Sequence, residues 1–408
     1  MKNTGGKSLT HLRERGQTLV IIVIGLTAFL AFLGLTLDGG YTWAQRRKAQ
    51  NAADAGALAG TRQLCISESA GAATAAASDY AITRNGATTA DITVDTDQYW
   101  VEVTAHVVFK TFFAHLLGRP EIDAQATARA ACFTPSVGKG VLPIAWSCQP
   151  PLSGQSDSED CELDWITPEQ LDTYRPDFPN IAHEELYIIM DNASFDADVI
   201  CDDPDTLADE GLDCDLDEDG VIDVLGQGSR SWLDLDGGGG GSDELRDWIQ
   251  DGFPFELTIH TWVPDQSGTA NNVFQAAHNR IGDILAIPVF DMFCEGNITG
   301  AGCATLVHHN PPDSVEDTIV PNSASSSLYV HISSFAGFVI SCVESPGAGD
   351  PGQRCPGWER LEEINGFPPG FNSTITLEGY FITGFVPGLG GGEPGPSDAG
   401  VYVLLLTR

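Results

Sequence analysis

An unusually long apolar stretch lies close to the start of the chain. Residues Thr18 to Leu37 read TLVIIVIGLTAFLAFLGLTL, 20 residues without a charged side chain. At 1.5 Å per residue a helix of this length spans about 30 Å, the thickness of a bilayer's hydrocarbon core. A cleaved signal peptide would have a shorter apolar region, about 7–15 residues, ending at a small-x-small site. This stretch runs instead into Asp38-Gly39-Gly40. A buried helix of a soluble protein rarely has so long an uninterrupted apolar run, so the pattern predicts a retained transmembrane helix over 18–37.

The pattern that follows predicts a small α/β module over residues 38–133. Tyr41–Leu64 is rich in Ala, Gln and Arg, which favour a helix. Ala70–Asn85 predicts a second helix, and Tyr99–Phe109 and Glu121–Ala131 alternate as strands do.

The first of these helices carries a stripe of very small residues at i, i+4, i+7 and i+11. Such a stripe lets another backbone approach closely. We therefore expect close packing against a neighbouring element, with self-association through the same stripe as one form of it. The residues are Ala49, Ala53, Gly56 and Gly60.

From residue 134 to 408 short apolar strings alternate with Gly, Pro, Asn and Asp, which predicts β-strands joined by long loops. We expect Leu328–Cys342 and Ile375–Phe385 to be paired long strands of one sheet. Helices are predicted over Ser242–Gln250, which opens with a Ser/Asp cap, and over Ala270–Ala286. The predicted fold class is α+β: a long N-terminal transmembrane helix, a small α/β module and a β-rich, disulfide-bonded outer domain.

The charge is distributed very unevenly along the chain. The 408 residues carry a net charge of −37, which counts against a nucleic-acid binder because its surface would repel phosphate. Residues 1–62 have eight basic and three acidic side chains, a net +5, so the other 346 residues carry −42. The basic segment 1–17 before the apolar stretch favours a cytoplasmic N-terminus, though only slightly.

All ten cysteines lie after the apolar stretch, as expected if the body is in an oxidising compartment. We therefore predict a single-pass protein of the cell membrane with a cytoplasmic N-terminus and an extracytoplasmic body. Spacing favours local disulfide pairs, with a zinc site as the weaker alternative because the chain has no CxxC pair. The predicted pairs are Cys148/Cys161, Cys201/Cys214, Cys294/Cys303, Cys342/Cys355 and Cys65/Cys132.

The most specific chemical motif is DLDEDGVID over residues 215–223. The carboxylates of Asp215, Asp217 and Asp219 can converge on one hard cation because Gly220 permits a sharp turn. The Val221 carbonyl and Asp223 would add further oxygens.

This string resembles the calcium loops of EF-hands, dockerins and thrombospondin type 3 repeats. Its twelfth position is Gly226 rather than an acidic residue, so a ligand from elsewhere in the chain must complete the shell. The alternative is a solvated acidic loop. We predict a structural calcium ion, with the additional ligand among Asp202, Asp203, Asp234 and Asp236.

Sequence strings around the apolar stretch carry a family resemblance. RGQTLV at 15–20 precedes it and RRKAQNAADAGALAG at 46–60 follows it, while TFFA at 111–114 and AQATARA at 124–130 continue the pattern. Together they resemble the N-terminal region of TadE/TadG-like Flp pilus-assembly proteins over about residues 13–132. The resemblance implies a membrane-anchored envelope protein of a Flp/Tad-type pilus system, with pilus-assembly or pilin proteins as its partners.

Two alternatives to an anchored assembly protein stay open. Pseudopilin members of this group resemble prepilins, which are cleaved after a Gly that has a Glu five residues on; here Gly16 offers the cleavage site, but the fifth residue after it is Ile21. The other alternative is a calcium-dependent surface adhesin or an unrecognised extracellular hydrolase. We expect no enzyme, because the chain has no G-x-S-x-G, P-loop or H-E-x-x-H motif.

Overall fold

The computed structural model divides the chain into two compact units. The first holds residues 1–131 and 406–408, and the second holds residues 132–405. The residues described are 14–147, 165–191, 224–225, 230–239, 241–266, 271–299, 302–308, 318–319, 328–344, 354–365, 375–395 and 400–407.

One helix, α1 (Glu14–Ser67), forms the spine of the first unit. Its 54 residues correspond to about 80 Å at 1.5 Å per residue. The helices predicted over 18–37 and 41–64 are therefore parts of a single element. Gly39 and Gly40 do not interrupt it, although each glycine costs a helix about 1 kcal/mol relative to alanine. Long helix-forming segments on both sides, with no proline between residues 14 and 67, outweigh that cost.

A second helix and three antiparallel strands complete the first unit. Helix α2 begins after Ser69, whose hydroxyl accepts a hydrogen bond from the Ala72 N–H, and continues as a π-helical segment to Arg84. The strands pair as a meander in which Asp95 faces Trp100 and Lys110 faces Glu121. These elements are α2 (Ala70–Ser78), β1 (Thr89–Asp95), β2 (Trp100–Lys110) and β3 (Glu121–Lys139).

The core of the first unit is built from small side chains. Strand β2 alternates buried and part-exposed residues, and Val101, Val103 and Ala105 are fully buried. They share one cluster with the buried alanines of α1 and α2, such as Ala57 and Ala77. The helices and strands predicted for this region are thus confirmed, with β3 running eight residues beyond the predicted Ala131.

The second unit is dominated by long antiparallel strands. The strands predicted to pair do so: β14 (Leu328–Glu344) lies beside β15 (Ile375–Ile382), with Val339 opposite Tyr380. On the other side of β14 lies β11 (Ile284–Thr299). Within the described residues the sheet runs in the order β7 (Val224–Leu225), β6 (Tyr187–Asp191), β15, β14, β11, β4 (Ile144–Ser147) and β8 (Arg230–Trp232).

The remaining elements of the second unit are shorter. Helices α4 and α5 flank this sheet, and β9 and β17 pair with the end of β3. The bounds are β4 (Ile144–Ser147), β5 (Trp165–Ile166), α3 (Pro168–Tyr174), β6 (Tyr187–Asp191), β7 (Val224–Leu225), β8 (Arg230–Trp232), α4 (Ser242–Asp251), β9 (Glu256–Thr258), β10 (Thr261–Pro264), α5 (Asn271–His278), β12 (Gly302–His308), β13 (Thr318–Ile319), α6 (Pro356–Asn365), β16 (Gly384–Phe385), β17 (Leu389–Pro394) and β18 (Val401–Thr407).

The prediction of a helix over Ala270–Ala286 was wrong at the C-terminal end. Helix α5 ends at His278, and β11 begins at Ile284. Gly282 makes the turn between them with φ +86°, a left-handed conformation that favours glycine. The apolar residues after the turn belong to a buried strand, whose continuous hydrophobicity resembles that of a buried helix.

Disulfide bonds hold the described cysteines. The predicted pair Cys342–Cys355 is confirmed. Cys65, Cys132 and Cys294 are also disulfide-bonded, as expected for an oxidised body. The predicted pairs Cys148/Cys161 and Cys201/Cys214 lie outside the described residues.

Candidate functional site

The candidate site consists of the exposed apolar segment of α1, residues 18–37, together with the elements that pack around the C-terminal end of this segment. The large side chains from Leu19 to Leu37 are exposed, with Phe32 at 72% and Ile21 at 69%. A core helix of a soluble protein would bury such residues. Exposure of nearly all of a 20-residue apolar segment fits a single-pass membrane anchor.

Aromatic and basic side chains follow directly after this segment. Trp43 is 63% exposed, and the Arg47 guanidinium carbon lies 5.0 Å from its ring centroid. Tyr41 packs edge-on against Phe109 with ring centroids 5.1 Å apart. Trp and Tyr are enriched where a helix leaves the hydrocarbon, because their rings are apolar and their polar atoms reach water.

A loop between β2 and β3, residues 111–119, is held against α1 by one carboxylate. Asp38 is buried, and its Oδ1 accepts a hydrogen bond from the Phe112 N–H at 2.8 Å. Its Oδ2 accepts from the N–H groups of Phe113 at 2.9 Å and Ala114 at 2.6 Å. Three N–H groups at the start of the loop's 3₁₀ turn, Ala114–Leu117, are thus satisfied by a residue 74 to 76 positions earlier in the chain.

A glycine of α1 makes room for the same loop. A Cβ added at Gly34 would lie 2.7 Å from Cγ of Phe113, so any larger residue there would displace the ring. Gly34 lies three residues before Leu37, the last residue of the apolar run, which places the contact about 4.5 Å inside that run. The loop therefore reaches the exposed apolar segment of α1.

The small-residue stripe packs within the chain itself. Ala49 and Ala53 are 0% exposed. A Cβ at Gly56 would lie 3.0 Å from the Ala77 carbonyl oxygen, and one at Gly60 would lie 2.9 Å from the Ala77 Cβ. The stripe packs closely against neighbouring elements of the same chain: Gly56 and Gly60 lie against α2 and β2, and Ala49 lies in a cluster with Val107 of β2 and Ala126 of β3. The stripe expected to allow self-association therefore has its surface covered by the chain's own residues.

The predicted calcium ligands Asp215, Asp217, Asp219, Val221 and Asp223 lie outside the described residues. The described part of the chain contains another acidic group, formed by Asp234, Asp236 and Glu244, whose carboxylate oxygens lie within 4.8 Å of one another. The first two belong to the loop after β8 and the third to the first turn of α4. Sequence reasoning singled out Asp234 and Asp236 but missed Glu244, which only the fold brings to them.

Burial and mutual repulsion disfavour the ionised forms of two of these carboxyl groups. Asp234 is 4% exposed, and burial raises its pKa despite a hydrogen bond from the Gly239 N–H at 2.8 Å; Asp236 raises it further. Burial also raises the pKa of Glu244, as do the charges of Asp236 and Asp234. A divalent cation bound to these oxygens would remove the repulsion.

A buried carboxyl group in the second unit, that of Glu378, lies at the start of α6 and binds its backbone. Glu378 is 0% exposed and accepts hydrogen bonds from the N–H groups of Gly357 at 3.1 Å and Trp358 at 2.6 Å, at the start of α6. Burial raises its pKa to about 8, against the effect of these donors, and Glu344 and Glu359 raise it further. The nearby cysteines Cys342 and Cys355 are joined to each other, so they are not available as metal ligands.

Comparison with known proteins adds one match. Residues 16–79 match the family model described as "Putative Flp pilus-assembly TadE/G-like". Neither the curated proteins nor the solved structures gave a match to the chain. The matched segment covers the apolar part of α1, the small-residue stripe and α2. Residues 16–79 are therefore similar to the TadE/G-like family, in agreement with the sequence strings around the apolar stretch.

Proposed function

We propose that the protein is a membrane-anchored envelope component of a Flp/Tad-type pilus system, with a structural or assembly role. One observation carries the proposal: the TadE/G-like match coincides with an exposed apolar helix that continues without a break into a packed module. A continuous helix fixes the module at a set distance and angle from the membrane, which a flexible linker would not do.

The chemistry of the body supports an extracytoplasmic position. Its described cysteines are disulfide-bonded, and such bonds persist in oxidising compartments. The acidic surface suits a partner with basic patches, and we propose pilin or pilus-assembly proteins as that partner. The family match favours this structural role over catalysis.

Loss of piliation tests the proposal. A strain without this protein should lose Flp-type pili, and the full chain should restore them. A variant with Leu26→Arg and Ile24→Arg in the apolar segment should leave the membrane fraction and fail to restore pili, because charges at the centre of a span are costly. The matched control places the same two arginines at exposed positions of the module, Thr93 and Asp97. Normal piliation in the null strain would overturn the assignment.

A filament subunit is the second candidate, and the continuity of α1 favours it. A long N-terminal helix with an apolar first part and a globular head is the shape of a pilin-like subunit. In this case the chain would be cleaved after Gly16. Sequencing the mature N-terminus decides: an end at Gln17 supports the subunit, and an intact N-terminus supports the anchor.

We further propose that the outer domain is stabilised by calcium held by Asp215, Asp217, Asp219, Asp223 and the Val221 carbonyl. The support is the alternation of carboxylates around Gly220 and the high density of acids, which repel one another without a cation. Asp234 and Asp236, described above, are candidates for the ligand that completes the shell.

Chelation tests the calcium proposal. We expect a chelator to lower the Tm of the full chain, and Asp217→Ala to abolish the difference between calcium-loaded and chelated protein. Asp172→Ala, at an aspartate whose side chain is 81% exposed, serves as the control and should keep that difference. A Tm that is insensitive to chelator would rule out a stabilising ion.

A further inference from the structure

The loop at residues 111–119 presents apolar side chains that nothing in the described chain covers. Phe112 is 66% exposed, Leu116 80% and Leu117 86%. Soluble surfaces rarely place three such residues together, and a group of this kind marks a site of contact with another apolar phase.

The position of the loop identifies that phase. Its Phe113 ring touches α1 at Gly34, inside the apolar run, and Asp38 fixes the loop there through three hydrogen bonds. If α1 spans the bilayer through residues 18–37, the loop lies at the level of the lipid that surrounds the end of the span. An apolar groove of about 550 Å³ separates part of the loop from α1, lined by Leu37, Tyr41, Phe112 and Phe113 among others.

Much of the loop's backbone is hydrogen-bonded, which lowers the cost of entering an apolar phase, where unpaired polar groups are unfavourable. The N–H groups of Phe112, Phe113 and Ala114 all have Asp38 as acceptor. Other donors find acceptors within the loop and at its end: the Thr111 N–H reaches the Pro120 carbonyl and its hydroxyl the Arg119 carbonyl. The Arg119 N–H donates to the Ala114 carbonyl at 3.0 Å.

A lysine and an arginine flank the loop, and the titratable side chain within it is that of His115, which is exposed between Ala114 and Leu116. Lys110 precedes it and Arg119 ends it, and both are exposed. Cations at these positions suit the phosphate groups of lipid headgroups, while the apolar side chains between them suit the acyl region.

We propose that the 111–119 loop is a second membrane contact of this protein, inserting Phe112, Leu116 and Leu117 into the leaflet that faces the folded body. The inference rests on the proposed anchoring of α1 in the membrane. The loop would then limit the motion of the module, because a module supported by both α1 and the loop cannot tilt or rotate freely about the helix axis.

Fluorescence quenching in the full chain tests this contact. Single cysteines at Leu117, Leu26 and Asp97 would carry an environment-sensitive fluorophore, in vesicles of phosphatidylethanolamine and phosphatidylglycerol with brominated acyl chains. Unsubstituted protein measures background labelling. Leu117 is highly exposed, so Leu117→Cys removes little packing. Asp97 lies in the exposed turn at the other end of β2 and is the water control.

We expect brominated lipid to quench the labels at Leu117 and Leu26 but not the label at Asp97. Quenching at Leu26 without quenching at Leu117 would show that the loop is not inserted, while the membrane anchor through α1 would remain supported. A protein partner would then be the occupant of the apolar patch. Absence of quenching at both positions would overturn the membrane anchor itself and the loop contact with it.

Discussion

The first unit packs alanine and glycine of α1 against α2 and β2, whereas the second packs aromatic rings between long strands. In the first, Gly56 and Gly60 bring backbones together with no side chain between them. In the second, the Trp146 ring lies 4.5 Å from that of Phe381, and both are 1% exposed. Small residues gain little by leaving water, so close backbone approach stabilises the first unit, while buried apolar area stabilises the second.

This difference predicts opposite sensitivities to mutation. The second unit should suffer from loss of volume, because a truncated ring leaves a cavity that its neighbours cannot fill. The first should suffer from added volume, because its backbones have no space to separate without losing contacts. Substitutions in the two units therefore test the contrast directly.

The largest effect is expected for Phe381→Ala in the second unit. The ring contacts Trp146, Tyr187 and Phe338, so its removal should lower the free energy of unfolding by about 3–5 kcal/mol. Denaturant titration followed by Trp fluorescence reports it, since six of the eight tryptophans lie in this unit. Phe385→Ala, at a phenylalanine that is 56% exposed, is the matched control and should cost little.

Removal of the Cys342–Cys355 bridge should have the next largest effect. The bridge closes a loop of 13 residues between β14 and α6, and its loss as Cys342→Ser with Cys355→Ser should cost about 2–4 kcal/mol. The same denaturant titration measures it. An unchanged midpoint would mean that the sheet holds this connection without the covalent bond.

Gly60→Val tests the first unit. A Cβ at Gly60 meets Ala77, Val101 and the Ala73 carbonyl oxygen at 2.9–3.1 Å, so the larger side chain should cost about 1–3 kcal/mol. Hydrogen exchange of the α1 and α2 peptides should rise in this variant. Ala75→Val, at an exposed position of α2, is the control and should leave exchange nearly unchanged. Unchanged stability and exchange in Gly60→Val would contradict the expected sensitivity of the first unit to added volume.

The last prediction is a pH dependence of stability that is set by the buried Glu378. Its pKa in the folded state, about 8, lies above the ordinary value of 4.5, so the folded protein holds a proton that the unfolded chain has released. Stability should therefore be full below about pH 4.5 and fall by about 1.4 kcal/mol per pH unit as pH rises toward 8. Glu378→Gln should flatten this slope. An unchanged slope would assign it to other groups.

Local signals in the sequence were enough for much of the fold. The 20-residue apolar run, the alternation along Tyr99–Phe109 and the separation of Cys342 from Cys355 each depend on neighbours in the chain, and the structure confirms the elements they predict. The helix end near His278 was missed because a buried strand and a buried helix have the same continuous hydrophobicity. The metal ligands at 215–223 stay a prediction.

Local sequence patterns therefore locate most helices and strands and the long apolar segment, since propensity and periodicity are properties of short stretches. Contacts between distant groups became visible only in the folded chain: Asp38 with the 111–119 loop, the small stripe of α1 with α2, and Glu244 with Asp234 and Asp236. These contacts depend on how whole helices and strands pack and on which buried polar groups still need a hydrogen-bond partner. No local pattern of residues encodes the packing or the unpaired groups.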